Sequence, residues 1–214
     1  MRWTFTSGRC WTCGDSLAPN HVAGVCPPCR WTWPMFSNQE VSQTLARERV
    51  GDQVFGVGFR LRIGTEKALH RMKYGGFPNA AQQLGRWMGK QWRAPPAASV
   101  LVPIPSHWRR RLRRGFNPSA SLANGLSSVW GLNCDVDCVQ RVRHSSSLTS
   151  SSRRERACAI ESTYVFNERK GCIGPRNLII VDDVLTTGAT YRAVRDVLSN
   201  EGYTVLGGVW LAMA

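Results

Sequence analysis

Four consecutive apolar residues, Leu178-Ile179-Ile180-Val181, run without alternation, the pattern of a strand covered on both faces within a parallel sheet. Residues 99–104 (S-V-L-V-P-I) repeat the pattern and predict a second parallel strand leading into the turn Pro103-Ile104-Pro105. From 53 to 63, Val54, Val57 and Phe59 alternate loosely among glycines, as in an edge strand or hairpin. Helical spacing takes over elsewhere. Residues 66–73 and 79–92 read as helices, the second with Ala80, Leu84, Trp87 and Met88 along one face. Lys73-Tyr74-Gly75-Gly76 reads as the loop between them. Asn117-Pro118 supplies a cap and a first-turn residue for a helix whose apolar face is Leu122, Ala123 and Leu126. Residues 191–200 place Ala193, Val194, Val197 and Leu198 on another apolar face. Strands alternating with helices predict an α/β domain.

Chemistry gathers where the first strand ends. Asp182 and Asp183 stand at its carboxyl end, the edge at which open parallel sheets bind ligands. Thr186, Thr187, Gly188, Ala189 and Thr190 follow, and their amides and hydroxyls can wrap a phosphate at the start of the next helix, with Gly188 allowing close approach. Neither a Walker lysine nor a dinucleotide fingerprint accompanies this loop. A carboxylate pair beside an anion loop suits a ligand with vicinal hydroxyls and a phosphate, such as ribose 5-phosphate. The second strand leads into Arg109, Arg110, Arg111, Arg113 and Arg114, read as a loop or short turn on the same rim as the aspartates. Arginines there can hold a diphosphate or grip a nucleic-acid backbone, and the two uses are compatible.

A chain of 214 residues can bury one main domain and a small appendage. The formal net charge of +14 points to a polyanionic partner, nucleic acid before an anionic membrane surface. No stretch has the apolar length of a membrane span and the N-terminus lacks a signal-type apolar core, so a cytoplasmic protein without membrane insertion is expected. In that reducing setting the eight cysteines are expected as metal ligands or free thiols rather than a disulfide frame. Cys10-x2-Cys13 and Cys26-x2-Cys29 form the two knuckles of a four-cysteine site for structural Zn²⁺, on a ribbon spanning 1–36 ahead of a main domain over 37–214. Cys134, Cys138, Cys158 and Cys172 lack such pairing and are read as structural. Trp3, Trp11, Trp31 and Trp33 surround the ribbon, where they can stack on bases or pack the ribbon onto the main domain. Packing is the reading adopted.

Residues 181–190, V-D-D-V-L-T-T-G-A-T, resemble the phosphoribosyl pyrophosphate (PRPP) motif of type I phosphoribosyltransferases. The resemblance implies that Asp182 and Asp183 bind the ribose hydroxyls as the catalytic carboxylates, and that residues 186–190 hold the 5-phosphate. Taken with the four-cysteine ribbon, Lys73-Tyr74-x-Gly76, Val102-Pro103-Ile104-Pro105, Arg109-Arg110 and Arg114-Gly115-Phe116-Asn117, nearly the whole chain is similar to the competence protein F (ComF/GntX) family. That similarity implies a type I phosphoribosyltransferase-like parallel sheet flanked by helices behind an N-terminal zinc ribbon. It also implies Mg²⁺ bound with PRPP, a part in handling single-stranded DNA during natural transformation, and a protein partner from the competence machinery. Lys73, Arg109, Arg110, Arg111 and Arg114 become the residues for diphosphate or nucleic acid. The chain departs from the family at Pro118, where glutamine is usual, and at Ser145, Leu148 and Ala159. The serine-rich run at 144–156 reads as a mobile loop of the kind that covers the diphosphate in the transferase fold, and its lost polar groups favour binding over efficient turnover.

Two functions follow from these readings. One is a PRPP-binding protein that handles single-stranded nucleic acid; the other is a Mg²⁺-dependent phosphoribosyltransferase of nucleobase or nucleotide metabolism, in which the arginines stabilise the leaving diphosphate. No base-recognition hood is recognisable in the sequence.

Overall fold

The structure is a computed structural model that describes residues 8–17, 24–33, 40, 43, 53–74, 78–142, 163–170 and 177–214. In chain order its elements are α1 (Pro27–Trp31), β1 (Gln53–Arg60), α2 (Ile63–Tyr74), α3 (Pro78–Gly89), β2 (Ser99–Pro103), α4 (Trp108–Arg114), α5 (Pro118–Trp130), β3 (Asn133–Cys134), β4 (Val139–Arg141), β5 (Tyr164–Phe166), β6 (Asn177–Leu185), α6 (Ala189–Asn200) and β7 (Thr204–Met213). Five strands form one all-parallel sheet in the order β1-β7-β6-β2-β3, and β4 pairs with β5 as a separate antiparallel ribbon. The expected parallel sheet with flanking helices is present, and β1 is an edge strand.

The unbroken apolar run of β6 is explained by what covers it. Successive side chains of a strand point to opposite faces. Ile179 and Val181 join a core with Leu84 and Met88 of α3 and Leu122 and Leu126 of α5, whereas Leu178 and Ile180 join a second core with Val194 and Leu198 of α6. All four strand residues are fully buried. Burial of each stabilises by about 1.5–3 kcal/mol, so both aspartates hang from the best-anchored strand of the sheet. Helices α3 and α5 meet backbone to backbone at Gly85 and Gly125. A Cβ on Gly125 would lie 2.0 Å from the Gln82 carbonyl oxygen, and one on Gly85 2.2 Å from that of Leu122.

The cysteine ribbon packs on the first of these cores. Cys10, Trp11, Val25, Cys26 and Trp33 belong to it, Trp33 meeting Phe59 edge-on at 4.3 Å between ring centroids. Arg71 of α2 donates from Nη1 to the carbonyls of Cys10 and Trp11, 3.0 Å each. Trp11 and Trp33 therefore serve packing, as expected. Trp3, the side chain of Trp31, the boundary at 36/37, Cys158, Cys172 and the run at 144–156 lie outside the described residues.

Four expectations change. Strand β6 continues through Asp182 and Asp183 to Leu185 instead of stopping before them. The arginines lie on a helix, α4, capped at one end by His107 Nδ1, which accepts from the Arg109 amide, and at the other by Gly115 in the left-handed region at φ 79°. A run such as W-R-R-R-L-R-R has no apolar face to reveal a helix, and α4 indeed buries none of its residues. Lys73 and Tyr74 form the last turn of α2 rather than a loop. Cys138 is disulfide-bonded, not a free thiol, while Cys134 is free.

Strand order explains where a cleft opens. From β2 the chain moves outward to β3, then returns to place β6 on the other side of β2. At such a reversal the connections leave in opposite directions and part above the carboxyl ends of the two strands. Strand β2 ends at Pro103, opposite Val181, so the Asp182-Asp183 pair of β6 stands just beyond the end of its neighbour.

Candidate ligand-binding cleft

A cavity of about 150 Å³ occupies this point, lined among others by Lys73, Ser106, His107, Arg110, Arg114, Ser119, Arg141, Tyr164, Asp182, Asp183 and Thr190. A smaller hollow of about 20 Å³ adjoins it, sharing Asp182 and Thr190 and bounded by Thr186, Gly188 and Ala189. The acidic pair and the basic segment share the larger cavity, which the threonine loop reaches through Thr190, while Thr186, Gly188 and Ala189 bound the adjoining hollow and Thr187 lines neither.

Each wall has a local cause. Asp182 Oδ1 accepts from Ser119 Oγ at 2.9 Å and from the Asp183 amide at 2.8 Å, and Asp183 Oδ2 pairs with Lys73 Nζ at 2.8 Å. Both partners of this ion pair are largely shielded, with side chains 20% and 18% exposed. Ser119 is placed by the cap before it: Asn117 Oδ1 accepts from the Ser119 amide, and Asn117 Nδ2 donates to the Ile104 carbonyl at 3.0 Å. On the phosphate side, Gly188 stands at the cap of α6 at φ 68°, a conformation that favours glycine, and Thr187 Oγ1 accepts from the Ala189 amide at 3.4 Å. The amides of that first turn, with the positive end of the helix dipole, face the hollow as anion donors.

The basic wall is more selective than the sequence implied. Arg110 and Arg114, one helical turn apart, line the cavity, whereas Arg109 and Arg111 do not. Arg114 donates from Nη2 to the Tyr74 hydroxyl at 2.5 Å, and its Nε is buried and meets no acceptor among the described residues. Ser119, Tyr164, Arg141, Ser106 and His107 also border the cavity without having been singled out as site residues. Ser119 was signalled only indirectly, as the second residue after a strong N-cap, and Tyr164 follows a stretch with no readable pattern.

On the ribbon, the Sγ atoms of Cys10, Cys13, Cys26 and Cys29 all lie within 4.8 Å of one another. Cys13 Sγ to Cys26 Sγ is 3.8 Å, close to the edge of a tetrahedron with Zn–S bonds of about 2.3 Å. Burial would raise the Cys10 thiol, but the amides of Cys26, Cys13 and Thr12 bring it down to about 6, whereas burial pushes the Cys29 thiol up to about 11, so the set shares its protons unevenly. The four thiols fit a metal such as zinc.

No family model matches the chain. Competence protein F of Haemophilus influenzae is 28% identical over 103 residues, covering 48% of this chain and 45% of that protein. The DNA utilization protein YhgH of Escherichia coli is 31% identical over 102 residues (48% and 44%), and competence protein ComFC of Bacillus subtilis 28% over 112 residues (50% and 41%). Over about half of its length the chain is similar to competence protein F. The matches span about half the length of these curated relatives. Among solved structures, the allosteric regulatory enzyme of purine biosynthesis aligns at 19% identity and a TM-score of 0.42, over 62% of this chain and 25% of that one.

The acidic pair of the cleft is electrically strained. Burial first, and then the Asp183 charge, push the Asp182 carboxyl up to about 7, against the pull of the Asp183 amide, the Ser119 hydroxyl and Lys73. Because the folded value lies above the unfolded 3.8, the stabilising contribution of protonated Asp182 is complete below about pH 4 and is lost as pH rises through about 7. The thermal midpoint of the ligand-free protein is expected to fall between about pH 5 and 8, reflecting a loss on the order of 2 kcal/mol. Asp182→Asn should flatten that slope in a melting series, and an unchanged slope would remove Asp182 as its source.

Proposed function

We propose that this protein binds PRPP, or a related ribose phosphate, in the cleft, and that it serves in handling single-stranded DNA as a competence protein F type protein. The convergence of three elements on two adjoining cavities that share Asp182 and Thr190 carries this reading. The Asp182-Asp183 pair offers acceptors for vicinal hydroxyls, the Thr186–Thr190 loop at the start of α6 offers donors for a phosphate, and Lys73, Arg110 and Arg114 offer cations for a diphosphate. The unmatched Nε of Arg114 is a donor still lacking its acceptor. The names of the relatives, competence protein F and DNA utilization protein, support the cellular part of the proposal.

The residues also fit Mg²⁺. Asp182 and Asp183 are the carboxylates of the cavity lining and, with oxygens of the ligand, supply the hard donors that this ion takes. Bound there, Mg²⁺ would neutralise diphosphate charge. Lys73 would meanwhile turn from Asp183 toward that diphosphate, leaving the carboxylate to the ribose.

Calorimetric titration with PRPP and Mg²⁺ tests the reading. Wild-type protein should bind, and an Asp182→Asn, Asp183→Asn double variant should bind about 100-fold more weakly, since two charged acceptors become neutral amides. Equal affinity in the two proteins would sink the assignment. Diphosphate release on screening nucleobases would favour the enzymatic alternative. The same cations at the leaving-group side support it.

A further inference from the structure

Helix α4 presents two faces to two surroundings. Arg110 and Arg114 line the cleft, Arg110 while itself exposed, whereas the exposed Arg109, Arg111 and Leu112 do not line it, Leu112 being 75% exposed. With no residue of its own buried, α4 is held from its flanks. Ser106 Oγ donates to Asn117 Oδ1 at 2.8 Å, bridging the segments before and after it. From the side, the guanidinium carbons of Arg113 and Arg114 lie 4.6 and 4.2 Å from the centroid of the Tyr74 ring, and that of Arg109 lies 5.3 Å from the Trp108 ring.

Guanidiniums interleaved with aromatic rings, on a chain of net charge +14, match the chemistry of a single nucleic-acid strand, whose phosphates take the cations and whose unpaired bases take the π-faces. A duplex keeps its base faces stacked inside. We propose that a single strand lying along α4 and an anion in the cleft compete for Arg110 and Arg114, so that filling the cleft loosens the strand and the strand weakens the cleft ligand. This deepens the reading of the cleft as a phosphate-sugar site and rests on it. The reason for antagonism is stoichiometric. Arg110 is exposed and also lines the cleft, and Arg114, with Nη2 on the Tyr74 hydroxyl, has a buried Nε without an acceptor among the described residues, so a phosphate held from the cleft takes the charge that a strand phosphate would need. Lys73 and Tyr74, adjacent at the end of α2, touch the acidic wall and the basic wall respectively, which ties the two events to the same turn of helix.

The experiment measures binding of a fluorescent oligothymidylate to the full chain by anisotropy, across a salt series, with and without saturating PRPP and Mg²⁺. PRPP should weaken the strand by about tenfold, and flatten the slope of log affinity on log salt by about 1.4, the share of two phosphate contacts on a single strand. The strand should weaken PRPP by the same factor in the reciprocal titration, as linkage requires. R110Q/R114Q should abolish the coupling, whereas R109Q/R111Q should weaken the strand yet leave the coupling factor in place. Strand affinity indifferent to bound PRPP overturns the proposal, and so does coupling that survives R110Q/R114Q. Equal binding to phosphatidylglycerol vesicles overturns the choice of nucleic acid as the partner. PRPP titrated alone reports separately on the cleft. Should it not bind, that reading falls, and inorganic diphosphate, which needs only the arginine wall, carries the same competition test, with absence of competition decisive against the proposal.

Discussion

Stripping metal from the Cys10, Cys13, Cys26 and Cys29 set is expected to be the most damaging single change, lowering the thermal midpoint of the whole chain by about 10 °C or more. Short ribbons of this kind hold together through the metal, whose binding supplies folding free energy. Here the effect should not stay local. Cys10 and Cys26 are 0% and 8% exposed, and they share a core with Trp33, Phe59, Met72 and Leu84. Losing the ribbon would expose that face of the main domain and leave Arg71 without the carbonyls of Cys10 and Trp11. At roughly 2–4 °C per kcal/mol for a chain of this size, a loss of about 4 kcal/mol gives the stated shift. Melting with and without a chelator, beside Cys26→Ser and metal analysis of both proteins, checks it. A midpoint that ignores chelation in a protein shown to contain zinc would mean that the ribbon stands apart energetically.

Gly125→Ala should be nearly as harmful, costing about 3 kcal/mol, for a reason of shape alone. The new methyl would sit 2.0 Å from the Gln82 carbonyl oxygen and 2.9 Å from the Arg86 amide nitrogen. These are backbone atoms of the facing helix and cannot rotate aside, so α3 and α5 must separate. Asn117 and Ser119 ride at the start of α5, and the displacement would carry the Ser119 hydroxyl away from Asp182. Weaker PRPP binding should therefore accompany the lower midpoint. Asn124→Ala, one position earlier and exposed, should shift stability by less than about 0.5 kcal/mol in the same melting assay. Comparable losses from both variants would show that general helix perturbation, not the close approach, is responsible.

The sequence displayed its architecture where burial imposes a period. The run at 178–181, the strand at 99–103 and the helices around Leu84, Leu122 and Val194 were all visible because a covered face leaves apolar residues at fixed intervals. Asp182, Asp183 and the threonine loop were visible because they follow one such strand directly. Helix α4 was hidden, since arginines on an exposed helix repeat nothing. The Lys73–Asp183 ion pair, the Ser119 hydroxyl and the division of the arginines into cleft-facing and outward sets arise from chain segments meeting in space, and no local pattern records such meetings. Cys138 illustrates the same limit: a lone cysteine in sequence is silent about its disulfide partner.

Helix α2 carries a consequence for how the molecule ages. Within its final turn Arg71 grips the ribbon while Lys73 and Tyr74 grip the two walls of the cleft. Oxidation of the four cysteines, with loss of any metal they hold, would slacken one end of this short rod and so disturb the other, where Lys73 and Tyr74 meet the cleft.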